Sequence, residues 1–85
     1  MNIREILAIN LIRPRRAKRL SQEDLAHDAG IDRTYISLLE RCVHAASIDV
    51  VDSLARVLGV EAADLLKPPL PTGREKKKSR RSRDA

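Results

Sequence analysis

Apolar residues recur every three or four positions through most of residues 1–66, a spacing that predicts amphipathic helices. The first set is Ile3, Ile6, Leu7 and Leu11, which predicts a helix from about residue 3 towards residue 18. Pro14 falls inside this helix. Because proline lacks a backbone N–H and its ring crowds the carbonyl four residues earlier, we expect a kink or a break near residues 12–15.

Capping residues predict where the helices begin and end. Short polar side chains bond the free N–H groups of a first helical turn, and the candidates are Asn2, Ser21, Asp32 and Ser47. Acids three residues after the first two caps, Glu5 and Asp24, suit capping boxes. Gly30 and Gly59 can adopt the left-handed conformation that ends a helix.

Residues 20–41, LSQEDLAHDAGIDRTYISLLER, predict two short helices joined by a tight turn. Leu25, Ala26 and Ala29 share one face of the first helix, and Ile36 and Leu39 face inward from the second. Two helices joined by a three- or four-residue turn containing glycine form a helix-turn-helix, whose second helix typically enters the DNA major groove. This stretch therefore predicts a DNA-binding element.

The rest of the folded region is also predicted to be helical. Residues 48–59, IDVVDSLARVLG, predict a fourth helix with an inward stripe of Ile48, Val51, Leu54, Ala55 and Leu58. A short fifth helix is predicted over about residues 61–66, before PPLP at 68–71 ends regular structure. The predicted fold class is all-α, with a compact five-helix bundle over residues 1–67 and a tail over residues 68–85.

The charge is unevenly distributed along the chain, whose net charge is +5. Residues 1–66 carry nine basic and ten acidic residues, whereas residues 68–85 carry seven and two. Because the tail is a block of like charge without core-forming residues, we expect it to be disordered. Within the body, residues 1–41 carry eight bases and six acids, and residues 42–66 one base and four acids. Positive charge thus coincides with the helix-turn-helix, as a phosphate-facing surface requires.

Several classes of protein are disfavoured by composition. The single cysteine, Cys42, excludes an internal disulfide and fits a reducing compartment. The chain lacks the apolar run of a membrane span and the features of a signal peptide, so we expect a cytoplasmic, nucleoid-associated protein. A metal site at Cys42 and His44 would lack two ligands, and His27 has no nearby second ligand. We therefore expect no metal, no cofactor, no small-molecule ligand and no enzymatic activity.

The outer face of the second helix of the helix-turn-helix carries the candidate base contacts, Arg33, Thr34, Ser37 and Leu38. Arg33 suits a bidentate contact to guanine or a phosphate contact, and Leu38 suits a thymine methyl or an exposed or dimer-facing position. Asp32 suits a helix cap better than a base contact. The ring of Tyr35 is expected at the domain edge, where its hydroxyl could reach a phosphate.

Further phosphate contacts are predicted on either side of that helix. Gln22 lies at the N-terminus of the preceding helix, whose free backbone N–H groups favour an anion. Arg41 and His44 follow the second helix closely enough to contact the backbone of the same duplex.

Three segments, LSQEDLA, AGIDRTYISLLE and SIDVVDSLARVLGV, closely resemble the Cro/C1-type (XRE) helix-turn-helix proteins over about residues 8–66. That family includes phage repressors, restriction–modification controller proteins and many antitoxins. The resemblance implies a lambda repressor-like domain that binds specific DNA sequences as a dimer. It also implies base contacts from Arg33, Thr34 and Leu38, and a phosphate contact from Gln22.

The resemblance extends to one structural pair and has three exceptions. Arg15 and Glu40 match family positions that form a largely buried ion pair between the first and third helices. Pro14 stands where the family usually has leucine, and Cys42 where it usually has glycine, which predicts mild backbone strain unless the loop repacks. Ala45 and Ala46 replace a common Asn-Pro.

These patterns predict a transcriptional regulator that binds a palindromic operator as a homodimer and regulates its own expression. The expected dimer surface surrounds the fifth helix and includes Val60, Ala63, Leu65 and Leu66. The alternative is an antitoxin or adaptor module that binds a protein partner through its tail.

Overall fold

The computed structural model describes residues 1–69, and within them every regular element is helical. Four α-helices span Ile3–Ala17 (α1), Gln22–Ala29 (α2), Arg33–Glu40 (α3) and Ile48–Leu58 (α4). A 3-10 helix follows at Ala62–Leu66. The predicted all-α class is confirmed, but the fifth element is a 3-10 helix. The basic segment predicted to be disordered lies almost wholly outside the described residues.

Each α-helix begins at the cap that the sequence predicts. The side chains of Asn2, Ser21, Asp32 and Ser47 accept hydrogen bonds from backbone N–H groups in the first turn, at 2.9–3.2 Å. The first two caps form reciprocal boxes with Glu5 and Asp24. The backbone N–H and the hydroxyl of Ser21 hold the pKa of Asp24 below its ordinary value, because both stabilise the carboxylate.

All four α-helices end in the same motif, a residue in the left-handed conformation followed by an N–H that reaches back five residues. The left-handed residues are Arg19, Gly30, Cys42 and Gly59, with φ of 61°, 71°, 63° and 74°. The N–H groups that follow lie 2.8–3.0 Å from the carbonyls of Arg15, Ala26, Leu38 and Ala55. Two of the four left-handed residues carry side chains, and the strain expected at Cys42 is therefore present.

The α1 helix continues through Pro14, so of the kink or break expected there the break is wrong. The residues that follow hold the last turn in place. The Pro14 carbonyl accepts from the N–H of Lys18 at 3.0 Å, and the buried guanidinium of Arg15 is bonded to Glu40 and to the Leu20 carbonyl. The Arg15 contacts keep the C-terminal end of α1 against α3, although Pro14 itself lacks the N–H that a regular helix would use.

The core is aliphatic and draws on every element. Its fully buried side chains are Leu11, Leu25, Ile36, Leu39, Leu54 and Leu65. Leu65 is only 2% exposed, so its predicted place on a dimer surface is wrong. The amide of Asn10 holds the 3-10 helix against α1 through the carbonyls of Asp64, Leu65 and Lys67, at 2.8–3.3 Å.

Ile48 is exposed where the sequence predicts burial, which is the reverse of the error at Leu65. It was expected to continue the inward stripe of α4, yet it is 86% exposed. Ile48 is the first residue of α4, at the end of the helix that has not yet reached the core. The stripe of α4 therefore becomes buried only from Val51 onward.

Candidate nucleic-acid interface

The α2–turn–α3 unit separates an inner apolar face from an outer polar one. Gly30 ends α2 with φ 71°, and the Asp32 carboxylate accepts from the N–H of Thr34 at 3.2 Å to begin α3. Asp32 is thus a helix cap, as expected. On the inner face of α3, Ile36 and Leu39 are 0% and 1% exposed. This burial fixes the rotation of α3 and leaves its opposite face outward.

The predicted contact residues differ in how far they reach into solvent. Four are exposed, namely Arg33, Thr34, Arg41 and His44. Three are half-buried, namely Gln22, Ser37 and Leu38. The pair at the start of α3 is therefore open to solvent, as are Arg41 and His44 just after the helix. Both predicted environments of Leu38 are compatible with its partial exposure.

The loop after α3 is held by Tyr35. Its hydroxyl donates to the carbonyl of Ala45 at 3.1 Å, so it is engaged within the loop instead of being free for a phosphate. The rings of Tyr35 and His44 meet edge to face, with centroids 5.9 Å apart. Together these contacts fix the segment that carries Arg41 and His44 relative to the outer face of α3.

A buried ion pair joins α1 to α3, as the family resemblance implies. Nε and Nη2 of Arg15 donate to the two carboxylate oxygens of Glu40 at 2.7 and 3.0 Å. The side chains are 11% and 5% exposed. Arg15 also donates from Nη1 to the Leu20 carbonyl at 2.9 Å, just before α2 begins. One guanidinium thus fixes the end of α1, the start of α2 and the end of α3.

Gln22 belongs to the same network, which the sequence did not predict. Its Nε2 donates to Oε1 of Glu40 at 2.9 Å. The bond occupies one amide hydrogen and leaves the second hydrogen and the carbonyl oxygen for an outside partner. The bond to Glu40 therefore sets the orientation of the half-buried Gln22 side chain at the N-terminus of α2.

The C-terminal end of α1 is a basic surface that sequence reasoning did not include in the interface. Residues 13–20 contain five basic and no acidic residues, and this run was the available signal. Arg16, Lys18 and Arg19 are exposed there. Arg19 precedes Ser21, the cap of α2, by two residues, whereas the Nζ of Lys18 lies towards Gly59 at the end of α4.

The structure also bears on metal ligands and membrane spans within residues 1–69. That region contains no group of three or more His, Cys, Asp or Glu side chains placed to bind a metal. The Cys42 thiol lies 3.8 Å from the carbonyl of Arg4. None of the helices described has the length and apolar character needed to span a bilayer.

A comparison with protein families matches residues 15–65 to HTH_3, a helix-turn-helix family. This segment holds α2, the turn, α3 and α4, and it makes up more than half of the chain. The chain belongs to the HTH_3 family. This membership confirms the resemblance to Cro/C1-type proteins, and the matched segment begins at Arg15 of the buried ion pair and ends at Leu65 of the core.

Relatives of this HTH_3 chain include proteins named for transcription and for control. A "Neisseria hypothetical transcription factor" of Neisseria meningitidis serogroup B is 41% identical over 68 residues, which are 80% of this chain and 64% of that protein. The chain thus spans a little under two thirds of that relative. Control protein C.SmaI of Serratia marcescens is 39% identical over 66 residues, 78% of this chain and 79% of that protein.

A solved structure shows the same arrangement of helices. The crystal structure of the hypothetical transcription factor NHTF from Neisseria aligns with a TM-score of 0.79 and 39% identity. The alignment covers 91% of this chain and 84% of that one. The two chains therefore share the HTH_3 fold over most of their lengths.

Proposed function

We propose that this HTH_3 protein is a transcriptional regulator that binds a palindromic DNA operator as a homodimer. The observation that carries the proposal is α3, whose inner face is fully buried while Arg33 and Thr34 at its start are exposed. A helix held in this way after a glycine turn can insert its N-terminal residues into a major groove. The names of the Neisseria and Serratia relatives support the same function.

Each predicted contact has a role that suits its chemistry. Arg33 donates two parallel hydrogen bonds to O6 and N7 of guanine, while Thr34 and Ser37 bond bases or phosphate. Leu38 contacts a thymine methyl at the inner edge of the reading surface. Gln22, Arg41 and His44 contact phosphates on either side, so that they set the position of α3 without reading sequence.

The proposed dimer surface is an apolar groove between the N-terminal ends of α1 and α4 and the 3-10 helix. The groove has a volume of about 570 Å³, and its lining includes the exposed residues Ile3, Ile48 and Leu66. Arg4 and Asp49 also line it, so one wall offers a cation and another an acid. A two-fold interface must be self-complementary, and a second copy of this chain brings both an Arg4 and an Asp49 to the groove.

This surface refines the one predicted from sequence. Ala63 and Leu66 of the expected set line the groove, whereas Leu65 is in the core and Val60 packs against it. For half-sites one turn apart, the proposed dimer needs its two α3 helices on one face of the duplex, about 34–36 Å apart. A palindromic operator follows from that symmetry.

Autoregulation is the proposed mode of control. Its support is the similarity to control protein C.SmaI of Serratia marcescens. The amount of protein would then set operator occupancy. A reporter driven by the protein's own promoter should respond to expression of the protein in trans, and a reporter that ignores it would rule this mode out.

The proposed base contact predicts the behaviour of Arg33→Ala. Binding sites would be selected from random duplexes with the parent and with the variant. We expect the variant to lose preference at one position of each half-site, by about 1–3 kcal/mol, because a bidentate pair to guanine is removed. Preference elsewhere should be retained.

The matched control is Arg56→Ala, which removes an exposed arginine that pairs with Asp52 on α4, away from the reading face. The control should select the same sites as the parent. If Arg33→Ala weakens binding equally on all sequences, Arg33 contacts phosphate and the proposed base contact is wrong.

A further inference from the structure

The end of α1 contains a backbone conformation that its residue type opposes. Arg19 has φ 61° at the position where α2 and α4 have glycine. A residue with a Cβ is strained in the left-handed region, and glycine is not. Strain of this kind persists where the surrounding structure holds the conformation, and it is frequent at functional sites.

The surroundings of Arg19 place it at the edge of the proposed DNA surface. Leu20, the next residue, donates its N–H to the Arg15 carbonyl at 3.0 Å and accepts from the Arg15 side chain at 2.9 Å. Ser21 then caps α2, and Arg15 is bonded to Glu40 at the end of α3. Arg19 therefore sits where the end of α1, the start of α2 and the end of α3 are fixed together.

The charge at this point is unneutralised within residues 1–69. Arg16 and Arg19 are both exposed, and no carboxylate of the described region forms an ion pair with either. The Lys18 ammonium points elsewhere, since its Nζ lies 3.9 Å from where a Cβ of Gly59 would stand, at the end of α4. Two arginines thus remain available to an anion outside the domain.

We propose that Arg19, supported by Arg16, binds a phosphate of the DNA backbone flanking the segment read by α3. The inference rests on the proposed function, because the duplex must be held by α3 for its backbone to reach α1. The surface is continuous with the N-terminus of α2, where backbone N–H groups and Gln22 already favour a phosphate. It extends the footprint by contacts that carry position and no sequence information.

The test uses Arg19→Gly, which removes the charge and the backbone strain together. Affinity of the full chain for a selected duplex would be measured between about 50 and 200 mM salt. We expect weaker binding to every sequence, with a log–log salt slope smaller by about 0.9 per subunit. Because the parent loses affinity faster as salt rises, the ratio of the parent's affinity to the variant's should fall by about threefold per subunit over that range. The melting temperature should rise by several degrees, because glycine relieves the strain.

Two further variants separate charge from backbone. Cys42→Gly makes the same change at the equivalent position after α3, so it should also raise the melting temperature while leaving the salt slope unchanged. Arg19→Lys keeps the charge and should keep the slope. An Arg19→Gly slope equal to that of the parent would overturn the inference.

Failure of this inference can be told apart from failure of the proposed function. If the parent selects a sequence, Arg33→Ala changes that preference and Arg19→Gly leaves the slope unchanged, then only the contact at α1 is wrong. If the parent selects no sequence from random duplexes, the proposed function is wrong and the contact at α1 falls with it.

Discussion

Glu40→Ala should lower the free energy of unfolding by about 3–5 kcal/mol, a large part of what a domain of this size possesses. The carboxylate is 5% exposed and receives two hydrogen bonds from Arg15 and one from Gln22. Removing it leaves the buried guanidinium of Arg15 without a counter-charge. The cost is that of an uncompensated buried cation, because water cannot fully replace the lost partner.

The matched control for Glu40→Ala is Arg56→Ala, which breaks the pair between Asp52 and Arg56 on α4 without changing a residue that lines the proposed dimer groove. Those side chains are 52% and 78% exposed, and solvent screens their attraction. Urea denaturation should give a change within about 0.5 kcal/mol for this variant. Equal losses for the two variants would mean that burial of the Arg15–Glu40 pair adds nothing to the cost of breaking it, and the prediction would be wrong.

The same pair anchors the end of α1, which continues through Pro14 without a break. Proline costs about 3 kcal/mol inside a regular helix, which is a local quantity that can be predicted from sequence. The compensating contacts are not local, since Glu40 follows Arg15 by 25 residues. The family resemblance implied this pair, but the spacing of residues along the chain could not show that it anchors the turn of α1 that follows the proline.

Local chemistry accounts for the predictions that succeeded. A cap such as Ser21 or Ser47 depends on residues three positions away, and a glycine such as Gly30 acts through its own backbone. Each signal is contained within a few residues, so helix starts and ends could be predicted. Burial depends on distant elements, which is why Ile48 and Leu65 were placed on the wrong sides.

In the candidate site too, local features could be predicted from the sequence, whereas contacts between distant elements could not. The outward position of Arg33 and Thr34 follows from the helical period once Ile36 and Leu39 are buried. The bond from Gln22 to Glu40 and the basic surface around Arg19 depend on how closely α1, α2 and α3 approach each other. That approach is a property of the packed core, and no periodic pattern encodes it.

Ile48→Asp should raise the dissociation constant of the proposed dimer at least about a hundredfold. A fully buried isoleucine contributes about 1.5–3 kcal/mol, and a two-fold interface contains the residue twice, so the loss is about 3 kcal/mol or more. The isolated fold should be unaffected, because Ile48 is 86% exposed and an acid in the first turn of α4 suits the helix dipole. Sedimentation equilibrium over a range of protein concentrations measures the change.

The matched control for the dimer is Val43→Asp, which places the same charge on a residue that is 50% exposed and does not line the groove. Its dissociation constant should match that of the parent. If Ile48→Asp also dimerises like the parent, the groove is not the interface. Operator binding provides a second measure, since a monomer engages one half-site with half of the phosphate contacts. The salt slope of Ile48→Asp should therefore fall to about half of the parent's.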